Sequence, residues 1–503
     1  MAEDWDVVVV GAGTSGCALA ARLADTGRRV LLLEAGADHR EPADFPAELR
    51  DAATMRAAAP GHEANWDVPV ELFPGRVVGV PRGRVVGGSS ALNACSFIRA
   101  TRADLDGWAA AGNDLWSFDA VLPAFRRLEA DADFGDRPGH GADGPVPVRR
   151  PGEGHPLADA FAAAAGEQGH AAEPDKNADG PPGYGPVPLN VAGGMRVNTA
   201  MAYLSPRRGL PGLTVRGGVT VHRVVVEGGR AVGVRTADGT VRAAEVVLAA
   251  GAVGSPSLLL RSGIGPADDL RAAGLPVVAD VPGVGAGASD HPQVYVPFRP
   301  LRPLPAGLPL HGVLHATSQG ATAPGDLEVL PWLTPFSRIT GAPAGPHQDE
   351  LLVGVGLQRE DSRGRVSLAP DGRIRLEHRY LSEEADRRRL REGVRLAVAL
   401  LRSPALAPML APGSGLPGPV LDADEALDGW IRERLTTAVH LAGTARMGRD
   451  EDGTAVVDQH LRVRGVAGLR VVDTSVMPQV TSRGPAATAV MLGERAAELM
   501  TAT

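Results

Sequence analysis

The chain has 503 residues, past the roughly 250–300 at which a single hydrophobic core stops growing, so two domains are expected. Hydrophobic residues make up 44% and charged residues 22%, an ordinary globular composition with ample material for a large core. The net charge of −8 offers no basic patch or stripe and argues against a nucleic-acid partner.

The opening MAEDWDVVVV runs straight into a strand and carries neither a basic n-region nor an apolar h-region, so no signal peptide is expected. No apolar run reaches the ~20 residues of a membrane span, so the expectation is a cytoplasmic protein with no integral membrane segment. Asp6–Val10 (DVVVV) predicts a strand buried on both faces of a parallel sheet. Gly11-Ala12-Gly13-Thr14-Ser15-Gly16 follows, then an alanine-rich helix ending at Gly27, then a second strand, RRVLLLE, ending at Glu34. This is strand, G-x-G-x-x-G, helix, strand, acid. Gly11 allows the tight turn, Gly13 lets main chain approach a pyrophosphate, and Gly16 permits close packing of helix on strand. The free N–H groups of the helix N-terminus suit phosphates, with Thr14 and Ser15 in its first turn. Glu34 accepts hydrogen bonds from ribose hydroxyls and disfavours a 2′-phosphate. NAD and FAD both use this motif.

Residues 83–99, GRVVGGSSALNACSFIR, form a loop whose small residues let main chain lie against a flat ring system. Cys17 and Cys95 sit in small-residue runs and read as buried small hydrophobes. With no supporting His or Cys spacing they predict neither a disulfide framework nor a metal site. The runs 139–156 and 170–188, rich in Gly, Pro and Asp, read as surface loops; the second holds Lys176, the only lysine. VVLAAGAVGSPSLLLRSGIG (246–265) is a strand, a glycine turn and a helix. ADVPGVGAGASDHP (279–292) reads as a loop ending in an anchor, SDHP. Between 299 and 454, PLRPLPAGLPL and APAGPHQDE are loop-like, LLVGVGLQ and GRIRLEHRYL read as strands, and EEADRRRLREGVRLAVALLRS is an amphipathic helix with a solvated charged face. TAVHLAGTARMG (437–448) holds one imidazole, His440; a lone histidine is more often a hydrogen-bonded structural group than a catalyst. The chain closes on LRVVDTSVMPQVTSRGPAATAVMLGERAAEL, a buried strand and then a helix from about Ala486.

Taken together and in this order, these motifs resemble the glucose–methanol–choline oxidoreductase family along nearly the whole chain. GWAAAGNDLWSFDAVLPAFRRLE (107–129) and RVNTAMAYLSP (196–206) add to the match. The resemblance implies an α/β fold: a Rossmann-like FAD-binding domain and a smaller substrate domain roofed by an antiparallel sheet. It divides the chain into FAD-binding segments 1–155, 205–298 and 455–503, a cap segment 156–204, and a substrate domain 299–454. The cofactor implied is FAD rather than NAD. Ala35, Val85, Gly88, Asn93, Val221 and Asp473 join Gly11, Gly13, Thr14, Ser15, Gly16 and Glu34 as cofactor-binding residues. Asn93 matches an asparagine that contacts the flavin, and Asp473 a residue at the FAD phosphates or ribitol. Some members tether FAD through a histidine in the 83–99 loop; Leu92 stands at that position here, which implies non-covalent FAD.

The resemblance also makes His440 the base that takes an alcohol's hydroxyl proton while hydride passes to flavin N5. The chemistry needs such a group because an alcohol is a poor acid, and a positioned base contributes about 10²–10⁴ in rate. The family places a second His or Asn beside this histidine, and here that position is Gly484. Three readings follow: Arg483 or Ser482 turns inward and substitutes, the glycine makes room for a bulky substrate, or the chemistry is altered. A turn before Pro485 explains the glycine equally well. His291, His311, His315 and His378 are taken as structural or surface groups. The expected partners are a small-molecule alcohol or a redox carrier, with an electron-acceptor protein possible. The alternatives are a hydroxynitrile-lyase-type enzyme with a spectator flavin and, from RGPAATAV, a dehydrogenase that reoxidises the peptide-derived carrier mycofactocin.

Overall fold

Four consecutive valines offer water no polar face, and the strand that carries them lies inside a parallel sheet with Val7–Val10 all buried. The structure, a computed structural model, describes residues 5–341, 349–369 and 371–502, so most of APAGPHQDE and the first four residues lie outside it. In chain order the elements of the first half are β1 (Trp5–Val10), α1 (Thr14–Asp25), β2 (Val30–Leu33), β3 (Val68–Phe73), β4 (Arg76–Val80), α2 (Phe118–Leu128), β5 (Tyr184–Pro186), β6 (Leu213–Arg216), β7 (Val221–Glu227), β8 (Arg230–Thr236), β9 (Gly239–Leu248) and α3 (Gly251–Arg261). The second half adds β10 (Ala286–Ala288), β11 (Pro292–Phe298), β12 (Gly312–Ala316), β13 (Leu327–Trp332), β14 (Leu351–Leu357), β15 (Gly364–Leu368), β16 (Ile374–Glu377), α4 (Glu384–Leu401), β17 (Thr436–Thr437), β18 (Leu469–Val471) and α5 (Ala486–Thr501).

The first sheet is parallel in the order β6-β2-β1-β9-β18. The long strand β9 serves two sheets: its second half pairs with β1 and β18, and its first half continues into an antiparallel meander with β8 and β7. Helix α5 packs against α1 so closely that a Cβ at Gly493 would fall 2.4 Å from the Ser15 carbonyl oxygen. A second sheet, β17-β11-β14-β13-β12-β5, is antiparallel throughout. Period-two alternation sends Val294, Val296, Val353, Val355 and Val329 into one core with Leu390, Val394 and Val398 of α4. Gln293, Tyr295 and Glu328 occupy the alternate positions, on the other face. A mixed sheet, β10-β15-β16-β3-β4, joins the two halves. The α/β architecture with a second, antiparallel sheet is therefore as expected.

The segment boundaries read from the sequence shift in places. β11 falls in the 205–298 segment but pairs with β14, and β3 falls in 1–155 but pairs with β16. Two further readings need correction. The charged face of α4 is not merely solvated: Asp386 is fully buried, Arg389 nearly so, and Asp386 accepts the N–H groups of Asp361 and Ser362 together with Arg389. The runs 139–156 and 170–188 are likewise not simple surface loops, since His140, Asp175, Lys176 and Asn177 are buried and β5 closes an edge of the antiparallel sheet. In both cases charged side chains enter the interior because they arrive already paired.

Candidate active site

The turn after β1 is tight for a covalent reason. Gly11 has φ +103°, and a Cβ there would meet the Ala249 carbonyl oxygen at 2.5 Å. Gly16 leaves room for the Gly11 carbonyl against α1, as a Cβ would fall 2.0 Å from it. At Gly13 the situation reverses: nothing lies nearer to a would-be Cβ than the Ala249 carbonyl oxygen at 3.9 Å. Gly13 is the N-cap of α1, with no side-chain cap and no acidic residue in the first turn. Free N–H groups beside an open glycine fit a pyrophosphate. The 83–99 loop lies directly on this turn, its Gly88 so close that a Cβ would come 2.7 Å from the Gly13 Cα. Gly87 N–H donates to the Ala12 carbonyl (2.7 Å), and Val85, buried, bridges to Ala37.

Several side chains assigned to the cofactor also have protein partners. Glu34 accepts the N–H groups of Ala12 (3.0 Å) and Gly36 (2.8 Å), one on each oxygen, and burial pushes its carboxyl up to about 7. Each oxygen keeps a lone pair for a ribose hydroxyl. Ser15 donates its hydroxyl to the Ala489 carbonyl of α5, which leaves its N–H, not its side chain, for phosphate. Asp473 accepts Gly251 N–H and Ser255 Oγ at Oδ2 and Ser475 N–H at Oδ1, and so ties the end of β18 to the start of α3. Asn93 accepts Cys95 N–H at Oδ1. Val221 starts β7, opposite Thr236, and Thr14 and Ala35 flank the two turns that follow β1 and β2.

His440 is delivered by sheet register. Pro292 of β11 pairs with Thr437 of β17, yet Ser289 pairs with Ala442, so the 437–442 side carries two extra residues. Val439 and His440 form the resulting bulge, a device that re-aims side chains. Val439 has φ +68°, a conformation that β-branched residues rarely adopt. It is held there by its N–H donating to Thr437 Oγ1 (2.8 Å) and its carbonyl accepting from Arg82 Nη1 (2.7 Å). Asp290 anchors the bulge from beneath: Oδ1 accepts the N–H groups of His440 (2.7 Å) and His291 (2.8 Å), and Oδ2 accepts Thr437 Oγ1 (2.7 Å). SDHP is thus an anchor, as read from the sequence, but its target is His440. Gly443 has φ +77°, and a Cβ there would press on the Gly287 carbonyl at 3.0 Å.

The His440 ring meets His291 edge to face, at 85° with Nδ1 2.9 Å from Nδ1. Its other nitrogen, Nε2, has no hydrogen-bond partner among the described residues and faces Gly484, where a Cβ would lie 3.2 Å away. Burial, reinforced by the nearby Arg82 charge and opposed by Asp290, holds the imidazole down to about 4. A neutral ring with one bare nitrogen can accept a proton. Neither candidate substitute turns toward it: Ser482 donates to Asp104, and the buried Arg483 donates to the carbonyls of Ser482 and Gly325. His291, grouped with the structural histidines, touches His440 directly. His378 lies 3.2 Å from Asp290, His315 sits between Lys176 and Glu328, and the His311 ring meets that of His155 at a 44° tilt. The His291–His440 contact depends on cross-strand register, which local sequence does not carry.

The family model described as GMC oxidoreductase matches residues 5–293 with its N-terminal part and 360–493 with its C-terminal part. An uncharacterised GMC-type oxidoreductase of Rhodococcus erythropolis is 41% identical over 511 residues, covering 99% of each chain. The mitochondrial choline dehydrogenase of Mus musculus is 37% identical over 543 residues, covering 99% of this chain and 89% of that one. Among solved structures, pyridoxine 4-oxidase from Mesorbium loti superposes with a TM-score of 0.90 at 31% identity, covering 99% of this chain and 100% of that one. No helix among the described residues is long and apolar enough to cross a membrane. With the glycine cradle, the loop laid over it and the bulge that presents His440, these matches make the chain a member of the GMC oxidoreductase family, an FAD-dependent oxidoreductase acting on CH–OH donors.

Proposed function

We propose that His440 Nε2 takes the hydroxyl proton of an alcohol substrate. FAD, when bound, supplies the acceptor for the hydride and its two electrons. The observation that supports this reading is the asymmetry of the ring: Nδ1 and the main-chain N–H are tied to the protein, while Nε2 is bare. The bulge and its Asp290 anchor orient the imidazole, and the Asp290 carboxylate lies where it favours the positive charge that the ring gains. FAD is held non-covalently, since Leu92 offers no nucleophile for a tether.

The substrate belongs to the alcohols for which choline and pyridoxine are examples among the relatives. Gly484 leaves the side of His440 open, so the substrate itself supplies the polar group beside the base. The same opening favours a second reading, in which a bulky carrier such as mycofactocin is reoxidised and electrons pass to a partner protein.

Anaerobic addition of choline, pyridoxine and benzyl alcohol to the holoenzyme tests the first reading. One of them bleaches the oxidised flavin band, and His440→Ala slows that bleaching by about 10²–10⁴. Bleaching at an unchanged rate in the variant removes His440 as the base. A flavin that no alcohol bleaches moves the assignment to the carrier, and release of cyanide from a hydroxynitrile without bleaching moves it to a lyase.

A further inference from the structure

We propose that His291 is a positioning residue that locks His440 in the tautomer with its proton on Nδ1 and its lone pair on Nε2. The inference rests on the assignment of His440 as the base, and concerns what makes that ring able to act as one.

The geometry allows few alternatives. The two Nδ1 atoms are 2.9 Å apart, so one carries a proton and the other accepts it. His291 is fully buried, its Nε2 has no hydrogen-bond partner among the described residues, and its Nδ1 meets His440 Nδ1. If His440 is the base, its Nε2 holds the lone pair, which puts the His291 proton on Nε2 and makes His291 Nδ1 the acceptor of the shared contact. His440 must then donate from Nδ1, which bares Nε2 on the side facing Gly484. In the opposite arrangement His440 would carry its proton on Nε2 and present a donor to the alcohol, unable to take the hydroxyl proton. Burial keeps both rings neutral near pH 7, so each holds a single proton and the two tautomers are coupled.

The step balances within the pair. The substrate O–H bond breaks and an N–H bond forms at His440 Nε2, giving an imidazolium that still donates from Nδ1 to His291. No proton leaves the pair, and His291 does not touch the reacting atoms. Asp290 reinforces the arrangement, since one of its oxygens receives the main-chain N–H groups of both histidines.

His291→Asn keeps an acceptor close to the Nδ1 position, whereas His291→Leu removes it. The first readout needs no substrate: ¹⁵N-histidine-labelled holoenzyme with oxidised FAD, with long-range ¹H–¹⁵N spectra and His440 assigned by its loss in His440→Gln. The wild type and His291→Asn show His440 protonated on Nδ1, and His291→Leu shows a shift toward Nε2. The second readout is the anaerobic rate of flavin bleaching with the most active alcohol of the panel. His291→Leu lowers it at least tenfold, within the ~10⁴ that a wrong histidine tautomer can cost, with substrate affinity changed little, and His291→Asn restores most of it. A wild-type His440 protonated on Nε2 overturns the proposal, as does a His291→Leu variant with unchanged tautomer and rate. Retained bleaching in His440→Ala would remove the base assignment itself, so the two failures are distinguishable.

Discussion

Gly484 faces the bare nitrogen of His440 with nothing between them. Its backbone is not in the left-handed region, so alanine costs no conformational strain there, and the new Cβ would meet only the His440 ring, 3.2 Å from Nε2 and 3.3 Å from Cε1. Gly484→Ala is expected to leave the melting temperature within a few degrees while lowering kcat/KM about tenfold, ~1.4 kcal/mol of transition-state stabilisation. A drop in stability with unchanged kcat/KM would return the glycine to a turn-forming role. The pH profile belongs to the same scale. The base must be neutral to act, and burial holds His440 at about 4, so kcat/KM is expected to be flat near neutral pH and to fall only as pH drops through that value. An acid limb centred at 6.5 or above would mean that the ring is more solvated in the working enzyme. His440 and Gly484 were both legible in the sequence, because each is a local departure: an imidazole in an apolar run, and a glycine where the family carries a polar group.

Elements show where local reading stops. The 139–156 and 170–188 runs look like solvent loops by composition, yet His140 lies between Glu129, Asp131 and Asp175, with Arg99 and Arg150 completing a set in which three buried carboxylates face three cations. The charges balance and the imidazole is engaged on both nitrogens, which makes the cluster an ionic clamp between segments. Burial alone would lower the His140 imidazole, but hydrogen bonds to Asp131, Asp175 and Glu129 push it up to about 10. A raised folded-state value means the stabilisation is complete below the ordinary histidine value of 6.5 and is lost as pH rises toward 10. Thermal melts of the wild type should therefore lose stability across that window. His140→Gln should be less stable by about 3–5 kcal/mol at pH 7 and show a shallower decline. Equal slopes for the two proteins would assign the pH dependence elsewhere. Helix α4 teaches the same lesson: its amphipathic pattern was correct, and the burial of Asp386 was invisible because its partners come from residues 361 and 362.

For the whole molecule, the cradle proposed for the cofactor joins segments far apart in the chain: the 11–16 turn, the 83–99 loop and Asp473, whose carboxylate holds the start of α3. Ligand binding to such a cradle stabilises the folded state, by ~2.7 kcal/mol when FAD is at a hundred times its Kd. A Cβ at Gly13 meets no protein atom nearer than 3.9 Å, so Gly13→Val is expected to fold as the apoprotein. Its side chain would project into the space left for pyrophosphate, and the FAD-dependent rise in melting temperature should shrink or vanish. A full FAD shift in this variant would place the phosphates elsewhere.

The amino-acid sequence by itself determined the α/β class, the G-x-G-x-x-G turn after the first strand and the FAD assignment through family resemblance, and it singled out His440 as the proposed base. Those features depend on near neighbours in the chain: four valines, glycines at fixed spacing, an apolar run around one imidazole. Only the tertiary structure decided that Val439 and His440 form a two-residue bulge, that His291 meets His440 through Nδ1, that Arg483 and Ser482 turn away, and which charges are buried. The first three rest on a partner more than a hundred residues distant or on strand register, and the buried charges on partners that loops fold back from outside their own element; such contacts leave no periodicity for local reading to detect.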